Sequence, residues 1–241
     1  LGEKADANNR VHSNFDQLGA ATGRLTSSNP NLQNIPLQGF WGEKIRKGFI
    51  AEKNHLLLSF DYSQMELRIT AALAKETKMK AFFAEGFDIH TMTAAEVFGV
   101  SPEDISSEMR FRAKALNFGV MYGMGARGFA RASGIPFQEA QDFIDRYFLR
   151  FPGILKYMEE TKEFARKHGY VETMFGRKRF LPDVNSLIPQ IRAAAERMAI
   201  NMPAQGTAAD IMKMAMVQVQ ERVLHSNSAC AMLLQVHDEL I

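Results

Sequence analysis

The sequence contains one cysteine, Cys230, and therefore cannot form a disulfide bond within the chain. This scarcity predicts a reducing, cytoplasmic setting, and the apolar residues around Cys230 predict that its thiol lies in the core. No apolar run is long enough to span a membrane, and the opening residues Leu1–Lys4 do not form a signal peptide. We therefore expect a cytoplasmic protein with no membrane partner.

The chain also has little net charge, +2 at pH 7, so bulk charge does not indicate a nucleic-acid partner. Basic residues are nevertheless clustered locally, at Arg110, Arg112 and Lys114 and again at Arg177–Arg179. The 241 residues can bury a core as one large domain or two small ones. Because the sequence lacks an initiating Met and stops within an apolar stretch, we expect a fragment of a longer polypeptide.

The residues from His55 to Asp61 predict a buried strand, because four of the six positions before Asp61 are apolar or aromatic. A helix is predicted directly afterwards, with Ser63 as its N-cap and Glu66 completing a capping box. An acid at the end of a buried strand is costly unless a cation meets it. The alternative, that Asp61 only helps to cap the helix, remains open at this point.

Further along the chain, cap residues predict a helix from Asp88 to about Phe98 and another from Ser106 or Ser107 to about Tyr122. The other predicted elements are helices over about 136–151 and 152–168, a hairpin with a basic turn over 170–183, helices over about 189–202 and 206–224 separated by Pro203, and an apolar strand over 229–235. Strands at both ends and helices between them predict an α+β fold whose sheet is built from both chain ends.

Acidic residues follow both predicted end strands. Asp61 ends the first strand, while Asp238 and Glu239 come just after the second. If the two strands are neighbours, these carboxylates converge, and like charges at such a spot need a cation. Oxygen ligands without a His or Cys cluster suit Mg²⁺, and two such ions are the recurring apparatus of phosphoryl transfer. The alternative is that these are isolated turn acids that face water.

Four residues of the predicted helix 107–122 recur every fourth position: Arg110, Lys114, Phe118 and Tyr122. They share one broad helix face, which is cationic at its N-terminal end and aromatic at the other. A nucleoside triphosphate has the same layout, with phosphates at one end and a stackable base at the other. A solvated basic start followed by a core-facing end would give the same pattern.

A looser set consists of one arginine and several long amides, which can reach minor-groove acceptors or phosphates. These residues are Arg24, Asn31, Gln33, Asn34, Asn201 and Gln205. Alone they are a weak signal, since such side chains are common in loops and caps.

Four motifs in one order add a family resemblance. They are Thr22-Gly23-Arg24-Leu25 with Asn31-Leu32-Gln33-Asn34-Ile35-Pro36, then Asp61-Tyr62-Ser63-Gln64-Met65-Glu66-Leu67-Arg68, then Arg110, Lys114, Asn117-Phe118-Gly119 and Tyr122-Gly123, and finally Gln235-Val236-His237-Asp238-Glu239-Leu240. Over essentially the whole chain the sequence resembles family A DNA polymerases of the bacterial DNA polymerase I type. The resemblance implies an antiparallel palm sheet with helices packed on it and a mostly helical fingers insertion. The implied domains are palm over 1–80, with a possible thumb stub at 1–12, fingers over 81–188, and a truncated palm part over 189–241.

The resemblance also implies residue roles. Asp61 and Asp238 match the palm aspartates that bind two Mg²⁺ ions, with the Tyr62 carbonyl as a further ligand and Glu239 in support. Lys114 matches a catalytic and triphosphate-binding residue. The other implied nucleotide-binding residues are Arg110, Phe118, Tyr122, His90, Gln64 and Glu66, the last as a steric gate against a ribose 2′-hydroxyl. The implied DNA-binding residues are Arg24, Asn31, Gln33, Asn34, Asn201, Gln205 and His237.

The implied activity is template-directed DNA synthesis by a monomer, with primer-template DNA and deoxynucleoside triphosphates as partners. Two alternatives remain. A single-subunit, phage-type RNA polymerase shares the palm, but Glu66 argues against it because that family needs room for the 2′-hydroxyl. The chain could also bind primer-template or nucleotide without catalysis, in which case it would not extend a primer.

Overall fold

The computed structural model describes residues 2–36, 39–225 and 229–241, which divide into two compact units. The first unit consists of residues 1–63 and 208–241, and the second of residues 64–207. These bounds differ from the predicted domain borders after residues 80 and 188. The assignment of palm and fingers therefore stays a prediction.

The first unit holds small antiparallel sheets. Its strands are β1 (Asn14–Asp16), β2 (Thr26–Ser28), β3 (Phe60–Asp61), β6 (Gln235–Val236) and β7 (Glu239–Leu240), and its first helix is α1 (Gly39–Lys47). One sheet pairs β1 with β2, and the other has the order β3-β7-β6. The second sheet joins residues from both ends of the sequence, as predicted.

The second unit is mostly helical and carries one hairpin, in which β4 (Tyr170–Glu172) pairs antiparallel with β5 (Lys178–Phe180). Its helices are α2 (Met65–Leu73), α3 (Thr77–Ala84), α4 (Ile89–Phe98), α5 (Ser107–Met121), α6 (Ala126–Ser133), α7 (Phe137–Arg150) and α8 (Pro152–His168). The long helix α9 (Pro189–His225) begins in this unit and ends in the first. The predicted α+β class is confirmed.

Local cap chemistry explains where the central helices begin and end. The side chain of Asp88 accepts a 2.7 Å hydrogen bond from the Thr91 backbone N–H at the start of α4. Ser106 caps α5 in the same way, and α4 ends at Gly99 in the left-handed conformation that glycine adopts without strain. These boundaries agree with the sequence predictions.

The second unit contains two buried apolar clusters. The larger is built around aromatic residues of α6 and α7, including Phe129, Phe143 and Tyr147. The smaller lies beside the hairpin and includes Val171, Leu181 and Met202. Burial on this scale, at roughly 25 cal/mol per Å² of apolar surface, fixes the helices that carry the candidate site residues.

Four local predictions were wrong. The apolar run Leu56–Leu58 is exposed, and only Phe60–Asp61 is strand, because its partner β7 offers two residues for pairing. In the same way, the predicted strand over 229–235 is reduced to β6, which pairs with β7. Pro203 does not separate two helices but lies inside α9, and Cys230 is exposed rather than in the core.

The start of α2 also differs from the prediction. Its N-cap is Gln64, not Ser63, and Gln64 has a left-handed backbone with φ of 55°. A non-glycine residue in this conformation is strained, and such residues are concentrated at functional sites. Because the cap is shifted by one residue, Glu66 lies at the second helical position.

Candidate functional site

The first unit brings the predicted acids together through strand register. Asp61 of β3 lies directly opposite Glu239 of β7, and the Tyr62 backbone N–H donates a 3.0 Å hydrogen bond to the Asp238 carbonyl. The neighbour of β3 is therefore the strand that follows Asp238, not the strand that precedes it. Ser59 adds a hydrogen bond from its hydroxyl to the Glu239 carboxylate.

The surroundings of Asp61 favour the protonated form of its carboxyl group. Partial burial raises the pKa of the Asp61 carboxyl, and the negative charges of Asp238 and Glu239 raise it further. A cation bound among the three would remove this repulsion. The described residues contain no preformed group of three or more His, Cys, Asp or Glu side chains around a metal position. A metal here would therefore bind two carboxylates together with water or substrate oxygens, as Mg²⁺ commonly does in proteins.

Side-chain hydrogen bonds stabilise the hairpin turn that carries Asp238. His237 adopts a left-handed backbone with φ of 56°, which suits the first central position of a two-residue hairpin turn. Buried Gln235 donates from its amide to the His237 carbonyl and accepts a 2.9 Å hydrogen bond from Gln33. Predicted DNA-binding residue Gln33 thus also positions the turn.

The remaining predicted DNA-binding residues of the first unit lie nearby or cap local structure. Arg24 and His237 line a small open hollow together with Asp238 and Lys213. Asn31 accepts a 2.9 Å hydrogen bond from the Gln33 backbone N–H and caps a short 3₁₀ turn, and Asn34 is exposed. The contacts of Asn31 are those of a cap, and its role toward DNA stays a prediction.

In the second unit, α5 presents the graded surface that its sequence predicts. Arg110 and Lys114 are exposed, while Phe118 and Tyr122 are half-buried. The intervening positions Ala113, Leu116, Asn117 and Val120 are buried in the unit. Among the described residues, Lys114 has no hydrogen-bond or ion-pair partner, so its ammonium group is open to an anion.

Arg110, in contrast, is already paired. Its Nε and a terminal guanidinium nitrogen donate to the two oxygens of Asp88 at 3.1 and 2.8 Å. Burial alone would raise the pKa of Asp88, but hydrogen bonds from Arg110 and Thr91 hold it well below its usual range. The same hydrogen bond raises the pKa of Arg110.

His90 is buried beside this pair, with 3% of its surface exposed. Asn117 donates from its side-chain nitrogen to His90 Nδ1 at 3.1 Å, and Thr93 completes the buried network with Asn117. Because an amide nitrogen can only donate, Nδ1 is the acceptor and Nε2 carries the proton. Burial lowers the pKa of His90, Asp88 raises it, and the charges of Arg110 and Lys114 lower it.

Glu66 and Tyr122 form a direct contact at the aromatic end of α5. The Tyr122 hydroxyl donates a 2.8 Å hydrogen bond to the carboxylate of Glu66, a residue that is 6% exposed. The same unit contains Asn201 and Gln205, which are one helical turn apart on α9 and half-buried. Over the described parts of the chain, the buried Oδ1 of Asn201 has no hydrogen-bond partner. An orphaned oxygen of this kind is satisfied by water or by a ligand donor.

Comparison with known proteins decides the family. The model of DNA polymerase family A matches residues 2–241. The chain belongs to DNA polymerase family A. It is 53% identical over 232 residues to DNA polymerase I of Pseudomonas aeruginosa, which covers 96% of this chain and 25% of that protein. Thermostable DNA polymerase I of Thermus aquaticus is 51% identical over 232 residues, and the match covers 96% of this chain and 28% of that protein.

A solved structure agrees with these family A relatives. The POL domain of Pol1 from M. smegmatis, in complex with DNA primer-template and dNTP, has a TM-score of 0.95 and 41% identity. The match covers 99% of this chain and 42% of that one. This chain spans about a quarter of the length of the curated relatives it matches. Enzymes of the family depend on a metal ion.

Sequence reasoning missed three residues that shape the site. Asp88 was predicted only as a helix cap, Gln235 only as part of a motif, and Asn117 only as a neighbour of Phe118. Their partners are 22, 202 and 27 residues away in sequence, and no local pattern reveals such contacts. Outside residues 1, 37–38 and 226–228, which are not described, no helix is long and apolar enough to cross a membrane.

Proposed function

We propose that this protein is a template-directed DNA polymerase that adds deoxynucleotides to a primer 3′-hydroxyl and releases pyrophosphate. Family membership supports the reaction class. The M. smegmatis relative was solved with DNA primer-template and dNTP, which supports the same partners for this chain. Its bacterial relatives support a cytoplasmic location.

The observation that carries the proposal is the placement of the acids in the first unit. Asp61 lies opposite Glu239 across the β3–β7 pair, and Asp238 occupies the turn that leads into β7. Partial burial raises the pKa of the Asp61 carboxyl, and the nearby charges of Asp238 and Glu239 raise it further. Such an arrangement favours a bound divalent cation over three free acids.

Asp61 and Asp238 are the residues that would hold the metal, with the Tyr62 carbonyl as a further oxygen donor. Two Mg²⁺ ions bound there would lower the pKa of the primer hydroxyl and neutralise the charge of the triphosphate. Glu239 supports the pair from the neighbouring strand position, and its hydrogen bond from Ser59 keeps it in place.

The second unit supplies nucleotide-binding groups. Lys114 is exposed and has no partner among the described residues, and Arg110 lies on the same helix face. Both side chains are suited to bind the phosphates of the nucleotide. His90, with its proton on Nε2, adds a neutral donor. Phe118 and Tyr122 offer aromatic surface for the sugar and base, and Glu66, held by Tyr122, limits the space beside the ribose.

The DNA contacts are proposed for the amide and arginine groups. Arg24 and His237 border the hollow next to Asp238, which suits contact with a primer terminus. Asn201 has an oxygen that lacks a donor, and Gln205 lies one turn further along α9. Gln64, in its strained conformation, is the proposed nucleotide contact at the start of α2.

Primer extension by the full-length protein tests the proposal. We expect extension of a 5′-labelled primer by the deoxynucleotide complementary to the template, dependent on Mg²⁺, for each of the four template bases. Binding of primer-template without extension would support the non-catalytic alternative. Extension by ribonucleotides as efficient as by deoxynucleotides would support the RNA polymerase alternative.

A further inference from the structure

Asp88 and Arg110 form a two-pronged ion pair at the cationic end of α5. Each oxygen of the carboxylate accepts from a different guanidinium nitrogen, at 3.1 and 2.8 Å. This is the geometry in which arginine recognises a carboxylate or a phosphate most specifically. In this structure the carboxylate of Asp88 therefore occupies one of the two guanidinium edges that can bind a phosphate through two hydrogen bonds.

The bonds of Asp88 are divided unequally between its two oxygens. Oδ1 also accepts from the backbone N–H and the hydroxyl of Thr91, at 2.7 and 2.9 Å, whereas the bond to Oδ2 comes from Arg110. If Arg110 moved away, Asp88 would keep its cap bonds and the favourable field of the α4 N-terminus. Release of Arg110 therefore leaves no buried charge unsatisfied.

The pair is also accessible. The side chains of Arg110 and Asp88 are 45% and 38% exposed. Exposed ion pairs contribute little free energy, so an incoming group with several negative charges can displace one carboxylate. Besides burial, the charges of Asp88, Arg110 and Lys114 all shift the pKa of His90. His90 and Lys114 therefore lie close to the ion pair. An anion drawn to Lys114 would thus arrive next to the pair.

We propose that Asp88 is an internal counter-ion that competes with the nucleotide triphosphate for Arg110 and thereby weakens nucleotide binding. This rests on the proposed function, in which Arg110 binds the phosphates. Asp88 acts through Arg110 and does not touch substrate, so it is a positioning residue. Its role is to keep the guanidinium paired until a group of greater charge replaces the carboxylate.

The variant Asp88→Asn tests this inference in the full-length protein. Asparagine caps a helix as well as aspartate does, so the bonds to Thr91 are retained while the negative charge is lost. The probe is inorganic tripolyphosphate, whose dissociation constant is measured by calorimetry without primer, template or turnover. We expect binding to tighten about two- to five-fold, the range that an exposed ion pair allows.

The matched control is Glu108→Gln. Glu108 lies in the first turn of the same helix and pairs with Arg112 at 2.7 Å, so this change removes an equal charge near the site without freeing Arg110. A second arm places Asp88→Asn in an Arg110→Ala background, where it should change tripolyphosphate binding no further. A purely structural role for Asp88 would not depend on Arg110 in this way.

Three results would overturn the inference: unchanged or weaker binding in Asp88→Asn, an equal gain in Glu108→Gln, or a gain that persists in the Arg110→Ala background. These outcomes are independent of the proposed function. If the wild-type protein extends no primer, the polymerase proposal fails, while the tripolyphosphate measurements still decide whether Asp88 competes for Arg110.

Discussion

The Tyr122 hydroxyl donates a 2.8 Å hydrogen bond to the Glu66 carboxylate. The contact joins the C-terminal end of α5 to the first turn of α2, and both partners belong to the second unit. The carboxylate of Glu66, a residue that is 6% exposed, needs such a donor, because burial of an unsatisfied charge is costly. The bond also fixes where the carboxylate lies, which is what a steric gate beside a sugar requires.

Glu66→Ala should therefore raise ribonucleotide incorporation. Removal of the carboxylate opens space for a 2′-hydroxyl, so we expect the ratio of ribo- to deoxynucleotide incorporation efficiency to rise at least about ten-fold, since steric rejection of one polar group is worth more than about 1.4 kcal/mol. Single-nucleotide incorporation kinetics with the full-length protein measure this ratio.

Tyr122→Phe is the matched variant, because it removes only the hydroxyl. It should give a smaller increase in the same ratio and cost about 1.5–3 kcal/mol of stability, the usual value of a hydrogen bond to a charged group. If Glu66→Ala leaves the ratio unchanged, Glu66 does not act at the sugar.

Lys114→Ala should weaken nucleotide binding and slow incorporation. Loss of a charge-assisted contact to the triphosphate corresponds to about 1.5–3 kcal/mol, so we expect the efficiency of incorporation to fall at least about ten-fold. The control is Arg112→Ala on the same helix. Arg112 is paired with Glu108 and Glu139, so its loss should leave nucleotide binding near the wild-type value. An equal fall in both variants would mean that general charge, not the position of Lys114, decides.

The caps of the central helices could be predicted from the sequence because their causes are local. Asp88, Ser106 and Gly99 each act on backbone groups within four residues. The long-range pairing of β3 with β7 could be predicted only in part. Acids at the ends of apolar runs indicated that the two chain ends meet, but nothing local showed which strand of the C-terminal hairpin lies beside β3.

Other features depended on tertiary contacts that a single sequence does not reveal. Pro203 is a strong helix breaker in isolation, yet α9 continues through it, because buried neighbours such as Met202 and Ala204 hold the backbone. Ser63 and Glu66 have the spacing of a capping box, but the N-cap of α2 is Gln64, whose backbone is left-handed. The pairing of Arg110 with Asp88 had no sequence signal because helix i,i+4 rules do not reach across 22 residues.

Phe151→Ala should destabilise the second unit strongly. Phe151 is fully buried in the larger apolar cluster and packs against Tyr147 at 5.0 Å between ring centroids. Replacement of a buried phenylalanine by alanine costs about 3–5 kcal/mol. Urea denaturation measures the change, and Phe137→Ala is the control, since Phe137 is 51% exposed and should cost far less. Similar losses in the two variants would contradict the assigned core.

Acidification should destabilise the protein through His90. Because burial lowers the pKa of His90 below its ordinary 6.5, the unfolded chain binds more protons than the folded one below that pH. The stability from neutral His90 is therefore present above pH 6.5 and lost as pH falls below it. Between about pH 7.5 and 5.5, wild type should lose more stability than His90→Gln, measured by denaturant midpoint at each pH. Parallel losses would mean that His90 is not held neutral.

Primer extension by the full-length protein carrying Asp238→Asn tests the proposed metal site most directly. If Asp61 and Asp238 hold the metal, loss of one carboxylate should lower the rate of nucleotide addition at least about 100-fold, since metal catalysis contributes several kcal/mol. Glu239→Gln, which alters the supporting acid, should retain much more activity. A near-normal rate for Asp238→Asn, with nucleotide and DNA binding intact, would contradict the metal assignment and with it the proposed mechanism.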